Sequence, residues 1–157
     1  MEAAARRIEG FPHSIFDLVL HLNYWMDYDL RRIRGERPPY PEHAAESWSG
    51  GRPRPPGSSV PTQNPLEQGP PVEELKWKQT IAEFKSLLEQ VEQMARSDAP
   101  TLARLIEPMH PSHTERSSAL GDILWQTLVH NSYHVGQIAM LRRILGRWPP
   151  RAGGDTW

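Results

Sequence analysis

Residues 13–35, which read HSIFDLVLHLNYWMDYDLRRIRG, form the stretch that decides the fold. Their apolar side chains recur at spacings of three and four residues, which is the period of one face of an α-helix. Ser14 can cap the start of this helix together with Asp17, and the basic residues before Gly35 suit its negative C-terminal end. The pattern therefore predicts an amphipathic helix from Ser14 to Gly35.

Two further long helices are expected downstream. One runs from about Val72 to Arg96, where an apolar stripe is flanked by charged residues, and the last runs from near Ser118 to Leu145. A short turn of helix is expected over 101–106. Because no segment shows the alternating pattern of a strand, the sequence predicts an all-α protein whose helices pack as an up-down bundle.

The segment from Glu36 to Pro71 contains ten of the 16 prolines and has no sustained apolar period. It is expected to be a long Pro/Gly-rich loop within a single helical-bundle domain that spans 1–157. Two interpretations stay open for this loop: it either extends into solvent or folds over a functional site. Its candidate anchors are Tyr40, Trp48, Val60 and Leu66.

Charge and composition narrow the class of protein. The formal charge is −1, from 18 basic and 19 acidic residues among 157, so the chain lacks the overall basic field of a nucleic-acid-binding protein. No apolar run approaches the ~20 residues that cross a bilayer, so we expect a cytoplasmic protein without a membrane partner. Because the sequence has no cysteine, any metal ion must be held by His, Asp or Glu.

Two histidines of the last predicted helix carry the sharpest functional signal. His130 and His134 are four residues apart and fall inside the apolar stripe, so both should face the bundle interior. His21 on the first helix is a third inward candidate. Either these are core histidines satisfied by hydrogen bonds, or the three imidazoles hold a divalent ion with open coordination positions. The remaining histidines are expected in loops or on the surface; they are His13, His43, His110 and His113.

The neighbours of these histidines limit the chemistry. In the metalloprotease motif HExxH a Glu follows the first His and serves as general base, whereas Asn131 stands here, so such proteolysis is not expected. Gln137 borders the histidine face, where it either hydrogen-bonds a ligand or is an ordinary surface amide. Asp17 could orient His21, although its role as a helix cap is the favoured interpretation.

The early segment HSIFDLVLHL and the late segment HNSYHVGQIAMLRRILG, taken together, resemble the DinB-like (DinB/YfiT) superfamily. The resemblance implies a four-helix bundle that binds one divalent metal ion, most often zinc or nickel, through His21, His130 and His134. It also implies a homodimer. Because only residues 1–13 precede the first predicted helix, we expect the first helix of the bundle to be shortened. Asn131 occupies a position where many relatives carry an acid, and it joins Asp17 and Gln137 as a candidate to contact the ligands.

The superfamily includes transferases and isomerases that use a low-molecular-weight thiol, so the resemblance implies such a cosubstrate here. A divalent ion held by neutral ligands lowers the pKa of a bound thiol or water. The expected function is therefore a thiol-dependent transferase or a hydrolase that acts on a small electrophilic substrate. The alternative is a non-catalytic, metal-containing helical interaction module, and nucleic-acid binding is not expected.

Overall fold

The computed structural model describes residues 2–38, 47–48, 73–108, 117–150 and 153. Five helices and two short strands follow one another in these ranges. They are α1 (Glu2–Ala5), α2 (Ile15–Ile33), α3 (Glu74–Ala95), α4 (Ala99–Leu102), β1 (Leu105–Ile106), β2 (Ser118–Ala119) and α5 (Leu120–Ile144).

The start of α2 is fixed by a reciprocal cap. The Asp17 backbone N–H donates to Ser14 Oγ, and the Asp17 carboxylate accepts from the Ser14 backbone N–H at 2.9 Å. Arg7 pairs with the same carboxylate at 3.2 Å. At the other end Gly35 takes a φ of 85°, which glycine adopts without strain. The predicted helix and both of its end signals are confirmed.

Helix α2 is the central element of the core. Leu22, Met26 and Leu30 have almost no exposed surface, and they pack with Leu87 of α3. Toward the C-terminal end of α2, Ile33 packs with residues of α5 such as Ile123. The three long helices α2, α3 and α5 thus bury their apolar stripes against one another, which confirms the all-α bundle. In the ranges that the structure describes, no helix combines the length and the apolarity needed to cross a bilayer.

The connection between α3 and α5 differs from the prediction. The helical turn expected over 101–106 is Ala99–Leu102 instead, capped by the side chain of Asp98. Leu105 and Ile106 pair antiparallel with Ala119 and Ser118, so the helix prediction was wrong for these residues and α5 begins at Leu120. A two-residue strand carries no alternation, and its pairing arises only when distant residues meet.

The predicted loop at 36–71 lies mostly outside the described residues, as do its candidate anchors Tyr40, Val60 and Leu66. Ser47 and Trp48 are described, and Ser47 is buried.

Candidate metal centre

Helix α2 and helix α5 bring three histidines together. Ring nitrogens of His21, His130 and His134 all lie within 4.8 Å of one another, and His21 Nε2 is 3.2 Å from His130 Nε2. His21 and His134 are buried, whereas His130 is half-buried. The inward direction that the helical period predicted for these three side chains is the one observed.

The donor set fits a divalent ion. Imidazole nitrogens bind zinc at ~2.0–2.1 Å, so two of them on one tetrahedral ion are about 3.4 Å apart. The 3.2 Å between His21 Nε2 and His130 Nε2 is close to that separation. Three imidazoles leave at least one coordination position for solvent or substrate, as catalytic zinc sites do. The cluster could therefore hold a metal ion.

Polar partners orient two of the three rings. His134 Nδ1 lies 2.7 Å from Gln137 Oε1, an amide oxygen that only accepts, so Nδ1 carries the hydrogen and Nε2 keeps its lone pair free. Gln137 Nε2 in turn donates to the Tyr133 hydroxyl at 3.2 Å. His21 Nδ1 lies 2.9 Å from Ser47 Oγ, which leaves its Nε2 for the centre of the cluster. Such partners of ligand histidines fix the tautomer and the ring orientation.

Burial keeps two of the three rings, those of His21 and His130, neutral. Desolvation, helped by the positive charge that His134 and His130 would carry, lowers the pKa of His21 to about 3. Desolvation and His134 also lower the pKa of His130. Both rings are therefore uncharged at pH 7, which is the form that binds metal ions.

Trp48 covers the α2 side of the cluster. Its ring stacks on His21 at 3.8 Å between centroids and on His13 at 3.6 Å, with interplanar angles of 8° and 4°. His13 lies in the loop before α2, as predicted, but it is half-buried against Trp48, and burial is the main cause that lowers its pKa. The stack restricts the access of water to His21 from this side.

The other residues predicted to contact the three histidines differ in the contacts that they make. Asp17 caps α2, as the favoured interpretation predicted, and it also pairs with Arg7. Asn131 is buried, and its Nδ2 donates to Met26 Sδ at 3.3 Å. Gln137 contacts His134 directly. The remaining histidines, His43, His110 and His113, lie outside the described residues.

A cavity of about 300 Å³ lies between α2 and α5 beside the histidine cluster. Asp29 lines it and accepts a hydrogen bond from Thr127 Oγ1 at 3.0 Å. Burial raises the pKa of Asp29 to about 6, although the Thr127 hydrogen bond opposes this shift. Further lining residues are Trp25, Met26, Gln126, His130 and Asn131.

Sequence reasoning missed two residues of this region. Ser47 sits in a proline-rich stretch without periodicity, so no sequence signal links it to His21. Asp29 carried a weak signal, because it is an acid one turn after Trp25 on a largely apolar helix face. Its role as a cavity residue follows from the packing of α5, which supplies Thr127.

A helical bundle in which three imidazoles converge belongs to the class of candidate metal-binding proteins. A family model described as DinB superfamily matches residues 1–138, and the chain belongs to this superfamily. The resemblance identified from the two histidine segments is thereby confirmed. No curated protein and no solved structure gives a significant match to the chain.

Proposed function

We propose that the protein is a metal-dependent enzyme in which His21, His130 and His134 hold one divalent ion, zinc or nickel. The observation that carries the proposal is the convergence of three imidazoles from two helices, with His21 Nε2 and His130 Nε2 3.2 Å apart. Apolar side chains would fill such a position at lower cost, so the convergence of a third imidazole on this pair favours a metal site.

The reaction class follows from the donor set. A divalent ion with three neutral ligands would ionise a coordinated thiol or water near neutral pH. Because the chain has no cysteine, a thiol would arrive as a low-molecular-weight cosubstrate. Attack on a small electrophilic substrate then makes the protein a thiol-dependent transferase, and attack by water makes it a hydrolase.

The chain's own side chains have separate tasks in this proposal. Gln137 and Ser47 hold the rings of His134 and His21 through Nδ1, and Trp48 shields His21 from solvent. The cavity between α2 and α5 provides room for a substrate next to His130. Orienting the ligands and excluding water both strengthen electrostatic interactions at such a centre.

The outer face of α5 supports a homodimer. Helix α5 carries apolar side chains on the face opposite the core as well, and a helix that is apolar all round is normally covered. The same face supports the second candidate function, a non-catalytic metal-containing interaction module. Its side chains that are half or more exposed are Trp125, Leu128, Val129, Tyr133, Val135, Met140 and Ile144.

Metal analysis followed by an activity screen tests the proposal. We expect the purified full chain to bind about one zinc or nickel ion, and the loaded protein to turn over at least one pair from a panel of small thiols and electrophiles. Turnover that disappears on chelation and returns with the metal supports the enzyme. A loaded protein that self-associates but turns over nothing supports the interaction module instead, and a protein that binds no divalent ion contradicts both.

A further inference from the structure

We propose that the cavity between α2 and α5 is a subsite for the amine, amide or hydroxyl end of a small substrate, which donates to the Asp29 carboxylate while its apolar part lies against Trp25. The inference deepens the proposed function and rests on it for the identity of the reaction. It names the chemistry of the substrate's far end, which the histidine cluster does not determine.

The position of the cavity suits a substrate that reaches the histidine cluster. His130 belongs to the cluster and also lines the cavity, so the cavity adjoins the cluster. Thr127, the partner of Asp29, precedes His130 by three residues, which is about 5 Å along the helix axis. The volume of about 300 Å³ is at the small end of ligand pockets, so it suits a small molecule.

The polar groups in the cavity favour a ligand that carries a hydrogen-bond donor over an anionic ligand. A carboxylate offers about four lone-pair directions, and the contact with Thr127 uses one of them at Oδ2. Thr127 Oγ1 is equally close to Ile123 O, at 3.0 Å, so its single hydrogen is shared between two acceptors. Asp29 therefore retains capacity to accept from a ligand.

No Lys or Arg among the described residues lines the cavity. Arg32 is close enough to lower the pKa of Asp29, but it is a lesser influence there than burial, and its Nε donates to Glu107 O at 3.0 Å. A carboxylate or phosphate would meet the negative Asp29 with no cation in the cavity lining to offset the repulsion. An amine, amide or hydroxyl would instead make a hydrogen bond to a charged acceptor, which is stronger than one between neutral groups.

The flat apolar wall comes from α2. Trp25 is half-buried and Met26 is fully buried. An apolar or aromatic group of a ligand placed beside them would lie against an apolar surface. The expected ligand thus combines a flat apolar body with a hydrogen-bond donor.

Binding of two small probes to the metal-free full chain tests the subsite. Benzylamine and benzoate have the same ring and opposite charge, and calorimetric titration measures both. We expect benzylamine to bind and benzoate to bind at least about tenfold more weakly. Asp29→Asn should weaken benzylamine binding by about tenfold or more, because it removes the charged acceptor. Asp27→Asn, which changes a half-exposed acid on the same helix, is the matched control and should leave binding unchanged.

A second pair of variants leaves the Asp29 carboxyl in place. Gln126 lines the cavity and is exposed, so Gln126→Trp should block benzylamine binding without loss of folding. Leu75→Trp, an exposed position on α3 outside the lining, should have no effect. Equal binding of both probes, no benzylamine binding, or benzylamine binding insensitive to Asp29→Asn and Gln126→Trp would each overturn the subsite. A chain that binds metal but not benzylamine contradicts only the subsite, and one that binds benzylamine but no metal contradicts only the metal enzyme.

Discussion

His21 Nε2 and His130 Nε2 lie 3.2 Å apart although 109 residues separate them in the chain. One belongs to α2 and the other to α5, so the distance depends on the packing of these two helices. Because the Nδ1 atom of His21 is occupied by Ser47, the Nε2 atom is the one left to face the partner ring. The candidate centre is therefore a product of the bundle core and should form only when the chain is folded.

Removal of one histidine should abolish tight metal binding. We expect His134→Ala to lower zinc affinity by more than about 100-fold, since loss of a ligand costs more than loss of a residue that orients one. Competition with a chromophoric chelator measures the affinity, and elemental analysis measures the content. His13→Ala is the control, because His13 stacks on Trp48 outside the cluster. Equal zinc content in wild type and His134→Ala would remove these histidines as ligands.

Loss of the residue that orients His134 should have an intermediate effect. Gln137→Leu leaves a slightly shorter, apolar side chain and removes the acceptor of the 2.7 Å contact with Nδ1. We expect zinc affinity to fall by about 10–100-fold. Gln79→Leu on the exposed side of α3 controls for the change from amide to apolar side chain. If both variants bind zinc as the wild type does, Gln137 is an ordinary surface amide.

Because of Asp29, the free energy of unfolding should fall as the pH rises, which is unusual for an aspartate. Its pKa in the folded chain is about 6, above the ordinary 3.8, so the protonated form is the one that the fold favours. The stabilising contribution of protonated Asp29 is complete below pH 3.8 and is lost as the pH rises through 6. We expect Asp29→Asn to raise the free energy of unfolding by about 1–3 kcal/mol at pH 8 and by little at pH 4.

Urea denaturation of the metal-free chain at pH 4, 6 and 8 measures this difference. Asp27→Asn on the same helix is half exposed and should change the free energy of unfolding by less than about 0.5 kcal/mol at every pH. A destabilisation by Asp29→Asn that is the same at pH 4 and pH 8 would show that the buried charge carries no such cost.

A charge on the outer face of α5 should disrupt self-association. Val129 is 50% exposed, so a Glu there can be solvated in a monomer but would be buried without a partner in a dimer. We expect the wild type to sediment as a dimer and Val129→Glu as a folded monomer. Leu105→Glu changes a side chain that is 68% exposed in β1 and should leave the dimer intact. A wild type that sediments as a monomer at high concentration contradicts the homodimer.

Much of the candidate site could be predicted from the sequence, because its residues follow a local pattern. Two histidines four apart on an apolar helix face must share that face, and His21 lies on a second helix with the same kind of stripe. No such local pattern links the histidine cluster to Ser47, Trp48 or Asp29. Trp48 was predicted only as a candidate anchor of the loop, because its stacking on His21 brings together residues that lie far apart in the chain, which periodicity does not encode.

The sequence by itself determined the three long helices, their buried stripes and the inward direction of His21, His130 and His134, because these depend on hydrogen bonds and side-chain periods within each segment. The tertiary structure alone decided that β1 pairs with β2, that Ser47 and Trp48 reach His21, and that Thr127 donates to Asp29 beside a cavity. Each of those contacts joins residues far apart in the chain. Their free energy depends on which surfaces meet when the helices pack, and no local pattern records that choice.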